Sequence, residues 1–136
     1  MCQRESEDRN ILVIDDEMMN IKMVGHIFKD IPTVHIISAL NGDEAMSELE
    51  NNDIDMILLD LRMPDIDGFE LYKLIRRKYS MPVVMMTADE SGETMQMINE
   101  LGIDAYLAKP LNKSVTQEVF HSITDRERDG IPTDKE

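Results

Sequence analysis

The stretch MILLDLRMPDIDGFEL (Met56–Leu71) decides the fold. Met56, Ile57, Leu58 and Leu59 make an unbroken apolar run that reads as a buried strand. The run stops on an acid, Asp60, and Pro64, Asp65, Asp67 and Gly68 then form a loop. Phe69, Leu71, Tyr72, Leu74 and Ile75 resume at helical spacing. A carboxylate at the tip of such a strand calls for a reason.

Outward from this stretch, the same unit recurs. NILVIDD (10–16) is an apolar run that ends on two acids, and Met23, Val24, Ile27, Phe28 and Ile31 follow at helical spacing, with Asn20 near the helix start. VHIISAL (34–40) is β-branched and closes on Asn41-Gly42, and Asp43 can cap a helix through about Asn51, with Ala45, Met46 and Leu49 inward. MPVVMMTA (81–88) is a fourth strand that ends at Thr87; SGETMQMINELG (91–102) is a helix with Met95, Ile98 and Leu101 on one side and Gly102 as C-cap. DAYLAKP (104–110) is a fifth strand, and Val115, Val119, Phe120 and Ile123 mark a last helix.

Five strands alternating with five helices predict an α/β protein. Right-handed crossovers then favour a doubly wound five-stranded parallel sheet of order 2-1-3-4-5, flanked by the five helices. The expected organisation is a flexible N-terminus over 1–9, one domain over 10–125, and a polar tail or start of a linker over 126–136.

Composition excludes several function classes. The chain has 136 residues and a net charge of −14, from 28 acids against 14 bases. It lacks the basic footprint that direct contact with nucleic acid or an anionic membrane needs. Its one cysteine, Cys2, rules out a disulfide within the chain and suits a reducing compartment. No apolar run reaches the roughly 18 residues of a membrane helix, and MCQRESEDRN (1–10) has no signal-peptide core. A cytoplasmic location is expected. The twelve methionines are taken as core filler.

In the order 2-1-3-4-5, ligands bind where the winding reverses, at the C-terminal ends of strands 1 and 3. Asp15 and Asp16 end the first strand and Asp60 the third, so acids far apart in the chain should meet. One strand-end acid would read as a helix cap, but three converging repel one another. Two unit charges about 4 Å apart cost on the order of 4 kcal/mol at an effective dielectric near 20. A cation relieves that repulsion. An all-oxygen set favours Mg²⁺, with Mn²⁺ as the alternative, over zinc. Thr87, followed by small Ala88, and Lys109, followed by Pro110, add a hydroxyl and an ammonium from the tips of strands 4 and 5. Metal, Thr87 and Lys109 together would clamp the oxygens of a phosphoryl group, with Asp60 as the nucleophile.

ILVIDDE, MILLDLRMPDIDGFEL, PVVMMTA and LGIDAYLAKP, in this order, resemble the response-regulator receiver domain over about Asn10 to Asp125. The resemblance implies that Asp60 is the phosphoacceptor. It implies that Asp16, Asp15, Asp60 and the backbone carbonyl of Arg62 hold the metal, Asp15 partly through water. Thr87, Ala88 and Lys109 would contact the phosphoryl group. Thr87 and Tyr106 would act as a switch, and Pro110 matches a proline preceded by a cis bond. The implied donor is a histidine kinase or a histidine phosphotransfer domain, and slow self-dephosphorylation is implied as well. The output would be a downstream protein contact through the fourth helix, fifth strand and fifth helix, with Met97 a candidate contact. Arg62 and Asp89, each two residues beyond a site residue, form an expected lid pair across the mouth of the site.

Three rivals share parts of this pattern. A haloacid-dehalogenase-type phosphatase also uses an aspartyl nucleophile, Mg²⁺, Thr and Lys, but places its nucleophile after the first strand. A flavodoxin-like flavin binder needs a Ser/Thr/Gly-rich phosphate loop where this chain has DDEMMN (15–20). An unphosphorylated pseudo-receiver would usually lose part of the site, which is whole here. The sequence reading therefore favours a phosphorylatable receiver rather than an enzyme acting on other molecules, either a single-domain regulator or a piece of a longer chain. His26, His35 and His121 receive no role.

Overall fold

In the computed structural model, residues 8–129 are described; Cys2, most of the expected flexible N-terminus and the end of the expected tail lie outside them. The elements are β1 (Arg9–Ile14), α1 (Met18–Ile27), β2 (Val34–Ala39), α2 (Gly42–Asn51), β3 (Met56–Asp60), α3 (Gly68–Arg76), β4 (Val83–Thr87), α4 (Gly92–Leu101), β5 (Ala105–Ala108) and α5 (Lys113–Asp129). They form one five-stranded parallel sheet of order β2-β1-β3-β4-β5, as the alternation of elements predicts.

Alternate strand residues face opposite ways, and the sheet divides its core accordingly. Leu12, Ile14, Ile57, Leu59, Val83 and Met85 pack with Ala45 and Leu49 of α2, Leu71 and Ile75 of α3 and Ile98 of α4. Ile11, Val13, Met56, Leu58, Val84 and Met86 pack with Ile21, Val24 and Ile27 of α1 and Phe120 and Ile123 of α5. Every residue of β3 and β4 is buried, including the polar Asp60 and Thr87. The continuous apolar runs are therefore the signature of a sheet covered on both faces.

Helix ends differ in places from the sequence reading. Asn41, not Asp43, caps α2, its side chain accepting from the Glu44 N–H at 2.8 Å. The helix thus starts at Gly42, and Asp43 sits in its first turn. α1 opens at Met18, ahead of Asn20, and closes at Phe28, with Met23 on its exposed side. α5 continues past Asp125 to Asp129, because Arg126, Glu127 and Arg128 are good helix formers although the stretch is polar. Gly102 takes a left-handed φ of 71° and closes α4.

Gly68 has a different role from the one its loop context suggests. Among the described residues only Gly102 is a glycine with positive φ. Gly68 begins α3 against the end of β3, and a Cβ there would lie 2.7 Å from the Asp60 carbonyl oxygen and from Leu61 Cα. Its N–H donates to the Leu61 carbonyl at 2.8 Å. The glycine permits close approach, so α3 leaves directly beneath the strand tip and holds Asp60 at a fixed height.

Candidate functional site

The site is built from strand ends. Ile14 pairs with Leu59, Asp60 with Met86 and Thr87 with Ala108, so the tips of β1, β3, β4 and β5 lie along one edge of the sheet. A cleft of about 350 Å³ opens there, lined by Asp16, Glu17, Asp60, Arg62, Thr87, Ala88, Asp89 and Lys109.

Asp15, Asp16 and Asp60 each bring a carboxylate oxygen within 4.8 Å of the others. Asp15 and Asp60 are buried, whereas Asp16 is exposed at the rim. Lys109 joins the buried pair: its Nζ donates to Asp60 Oδ1 at 2.9 Å and to Asp15 Oδ2 at 3.2 Å. Asp15 Oδ1 accepts from the Glu17 N–H at 2.9 Å, which fixes the carboxylate from the α1 side. Burial pushes the Asp60 carboxyl above the usual range and the neighbouring Asp15 adds to that, while Lys109 opposes it. For Lys109 burial alone would lower the pKa, but the contacts with Asp60 and Asp15 outweigh it and hold the ammonium above its ordinary value. One cation thus serves two buried carboxylates and leaves the cluster acidic.

Thr87 is at the expected strand tip and lines the same cleft as Asp60, with its hydroxyl engaged by the β4–α4 loop. Its Oγ1 accepts from the Asp89 N–H at 2.8 Å and donates to the Asp89 carbonyl at 3.2 Å. Ala88 lines the cleft beside it. Tyr106 points outward, 37% exposed, and its hydroxyl donates to Glu90 Oε2 at 3.0 Å, which raises the phenol's pKa. The Lys109–Pro110 peptide is cis. Arg62 and Asp89, which both line the cleft, form an ion pair, Nη2 to Oδ2 at 2.9 Å.

Two residues of this network were not singled out from the sequence. Thr94, buried in the first turn of α4, donates to Asp89 Oδ2 at 2.8 Å. Glu90 holds Tyr106. With the Ser91 N–H first and Thr94 next, these bonds hold the Asp89 carboxyl down to about 2. Thr94 carries a signal that could have found it: it lies four residues before Ile98, on the inward side of a helix whose other inward residues are apolar. Glu90 carries none, because its contact depends on how the β4–α4 loop meets β5.

Comparisons with known proteins agree with this architecture. The family model of the response regulator receiver domain matches residues 11–121. The transcriptional regulatory protein ResD of Bacillus subtilis is 36% identical over 110 residues, which cover 79% of this chain and 45% of that protein. The CAI-1 autoinducer sensor kinase/phosphatase CqsS of Vibrio cholerae is 28% identical over 117 residues, covering 83% of this chain and 17% of that protein. The chain therefore spans less than half the length of these two curated relatives. Among solved structures, a two-component response regulator from Clostridium difficile superposes with a TM-score of 0.83 at 29% identity, covering 88% of this chain and 98% of that one. The Vibrio cholerae chemotaxis protein CheY4 superposes with a TM-score of 0.78 at 27% identity, covering 85% and 98%. Fold, strand-tip arrangement and family match lead to one conclusion: the chain belongs to the response regulator receiver domain family of two-component systems.

Proposed function

We propose that this receiver is phosphorylated on Asp60 and switches a protein-binding surface in response. The observation that carries the reading is the Lys109 ammonium bridging Asp60 and Asp15 in an acidic cleft. A buried carboxylate with one cation beside it is a nucleophile whose surroundings can also hold the oxygens of an incoming phosphoryl group.

The donor is a phosphohistidine on a histidine kinase or histidine phosphotransfer domain. An Asp60 oxygen attacks phosphorus. The O–P bond forms as the donor's N–P bond breaks, and the electron pair leaves on the imidazole nitrogen, which takes up a proton. Lys109 holds one phosphoryl oxygen and Thr87, with Ala88 beside it, another. In self-dephosphorylation, water attacks phosphorus, the O–P bond to Asp60 breaks, and inorganic phosphate leaves. The chain catalyses these steps on itself.

Asp15, Asp16 and Asp60 suit a hard divalent cation, since they offer only oxygen and one of them is open to solvent. With the Arg62 backbone carbonyl they would hold Mg²⁺, or Mn²⁺. Once bound, the cation supplies positive charge that offsets both the carboxylates and the phosphoryl oxygens.

Thr87 and Tyr106 are the switch. The hydroxyls of both are turned to the β4–α4 loop, to Asp89 and Glu90. Moving Thr87 to the phosphoryl group and Tyr106 inward would reshape the α4–β5–α5 surface, where Met97 is exposed, for a downstream protein partner. With a net charge of −14 this chain offers no footprint for nucleic acid or anionic membrane, and no described helix is long and apolar enough to cross a membrane.

Acetyl phosphate with Mg²⁺ tests the assignment. One base-labile phosphoryl group should appear on the wild-type chain, and none with a chelator or on Asp60→Asn. Undiminished labelling of folded Asp60→Asn would reject it.

A further inference from the structure

We infer that Thr94 is a positioning residue for the phosphoryl site: acting through Asp89, its hydroxyl straps the first turn of α4 to Thr87 in the resting arrangement, and so limits how readily the site accepts a phosphoryl group. The inference rests on the reading of Asp60 as phosphoacceptor.

Thr94 is only 7% exposed, on the inward side of α4. Thr94 is the third residue of α4, so no earlier turn of the helix competes for its one hydroxyl proton, which goes to Asp89 Oδ2 at 2.8 Å. The same oxygen accepts from Arg62 Nη2 at 2.9 Å, and Oδ1 accepts from the Ser91 N–H at 2.9 Å. The carboxylate is therefore a joint between the β3–α3 loop, the β4–α4 loop and α4.

The backbone of Asp89 is committed to Thr87, donating its N–H and accepting the Thr87 hydroxyl proton. Thr87 has a single proton to give. It cannot serve the Asp89 carbonyl and a phosphoryl oxygen at once, so engaging the phosphoryl group requires the loop at Asp89 to yield. Of the three groups on that carboxylate, Arg62 is 74% exposed and can follow the loop through solvent. Ser91 moves with the loop itself. Thr94 is the anchored one, part of α4, which packs on the core through Ile98. Cutting the Thr94 bond should therefore favour the engaged state over the resting one.

The test uses the described chain with its termini, Mg²⁺, and beryllofluoride as the probe for a phosphoryl group. Thr94→Val keeps the shape and removes the proton; Thr94→Ser keeps the hydroxyl. Thr94→Val should bind beryllofluoride about three- to tenfold more tightly than wild type, the scale of one net hydrogen bond. It should also be labelled faster by acetyl phosphate by a similar factor. Thr94→Ser should stay near wild type. A merely structural threonine would give weaker binding on removal, so unchanged or weaker binding by Thr94→Val overturns the inference. Amide hydrogen exchange on the unmodified chain gives a second readout that needs no variant. Beryllofluoride should speed exchange in the first turn of α4, and unchanged or slower exchange there also overturns it. A wild-type chain that binds no beryllofluoride would remove the phosphoacceptor reading and this inference with it. Binding by wild type without the Thr94→Val effect would remove this inference alone.

Discussion

Lys109 sets the balance of charge in the cleft. Its ammonium is shared by Asp60 and Asp15, so an arriving phosphoryl oxygen would compete for a cation already engaged, and an added divalent ion would relieve that competition. Arg62 and Asp89 pair at the lining of the same cleft. Being exposed, Arg62 adds little to folding, but beside the cleft it would stand in the way of a water approaching a phosphoryl group on Asp60. We propose that the pair is a partial lid. Arg62→Ala and Asp89→Ala should each speed phosphoryl decay at fixed Mg²⁺, and the double variant should be little faster than either single. Rate increases that simply multiply in the double variant would show two independent side chains and remove the lid.

At the scale of elements, β3 and the start of α3 work as one piece. The strand is rigid because every residue in it is buried, and α3 can start directly under its tip because Gly68 has no side chain. Gly68→Ala would force a carbon to within 2.7 Å of the Asp60 carbonyl oxygen and Leu61 Cα, both backbone atoms. Overpacking of this kind costs about 1–3 kcal/mol or more. A lowered melting temperature together with slower labelling by acetyl phosphate is expected, and a variant unchanged in both would contradict the close-packing account. The strands were legible in the sequence because runs such as ILVI and MILL encode burial on both faces, and the strand-tip acids followed from the crossover rules. Gly68 was legible only as a loop former, because a close approach between a strand end and a helix start leaves no local trace. Asn41 was missed as a cap because Asp43, two residues on, has the same chemistry. The turn of Thr87 toward Asp89 and the capture of Asp89 by Thr94 depend on the path of the β4–α4 loop, which no period in the sequence records.

At the scale of the molecule, the chain carries a net charge of −14 and gathers three carboxylates at one sheet edge. Folding confines charges that the unfolded chain keeps apart, so a cation bound only by the folded form should stabilise it. At 100 times its dissociation constant a one-site ligand adds about 2.7 kcal/mol. Mg²⁺ should raise the melting temperature in a saturable way, and Asp16→Ala, which removes the exposed carboxylate of the cluster, should abolish most of the rise. No rise in wild type across such a titration would contradict a metal site.

A phosphoryl group on Asp60 would be held as an acyl phosphate. An acyl phosphate, unlike a phosphoester, is reduced by borohydride, which leaves homoserine in place of the aspartate. The most direct measurement is therefore borohydride reduction of the chain after labelling with acetyl phosphate and Mg²⁺, followed by peptide mass spectrometry. Homoserine at position 60 and nowhere else is the expected result. Homoserine at another position, or a phosphoryl group that resists mild base as a serine or threonine ester would, contradicts phosphorylation at Asp60.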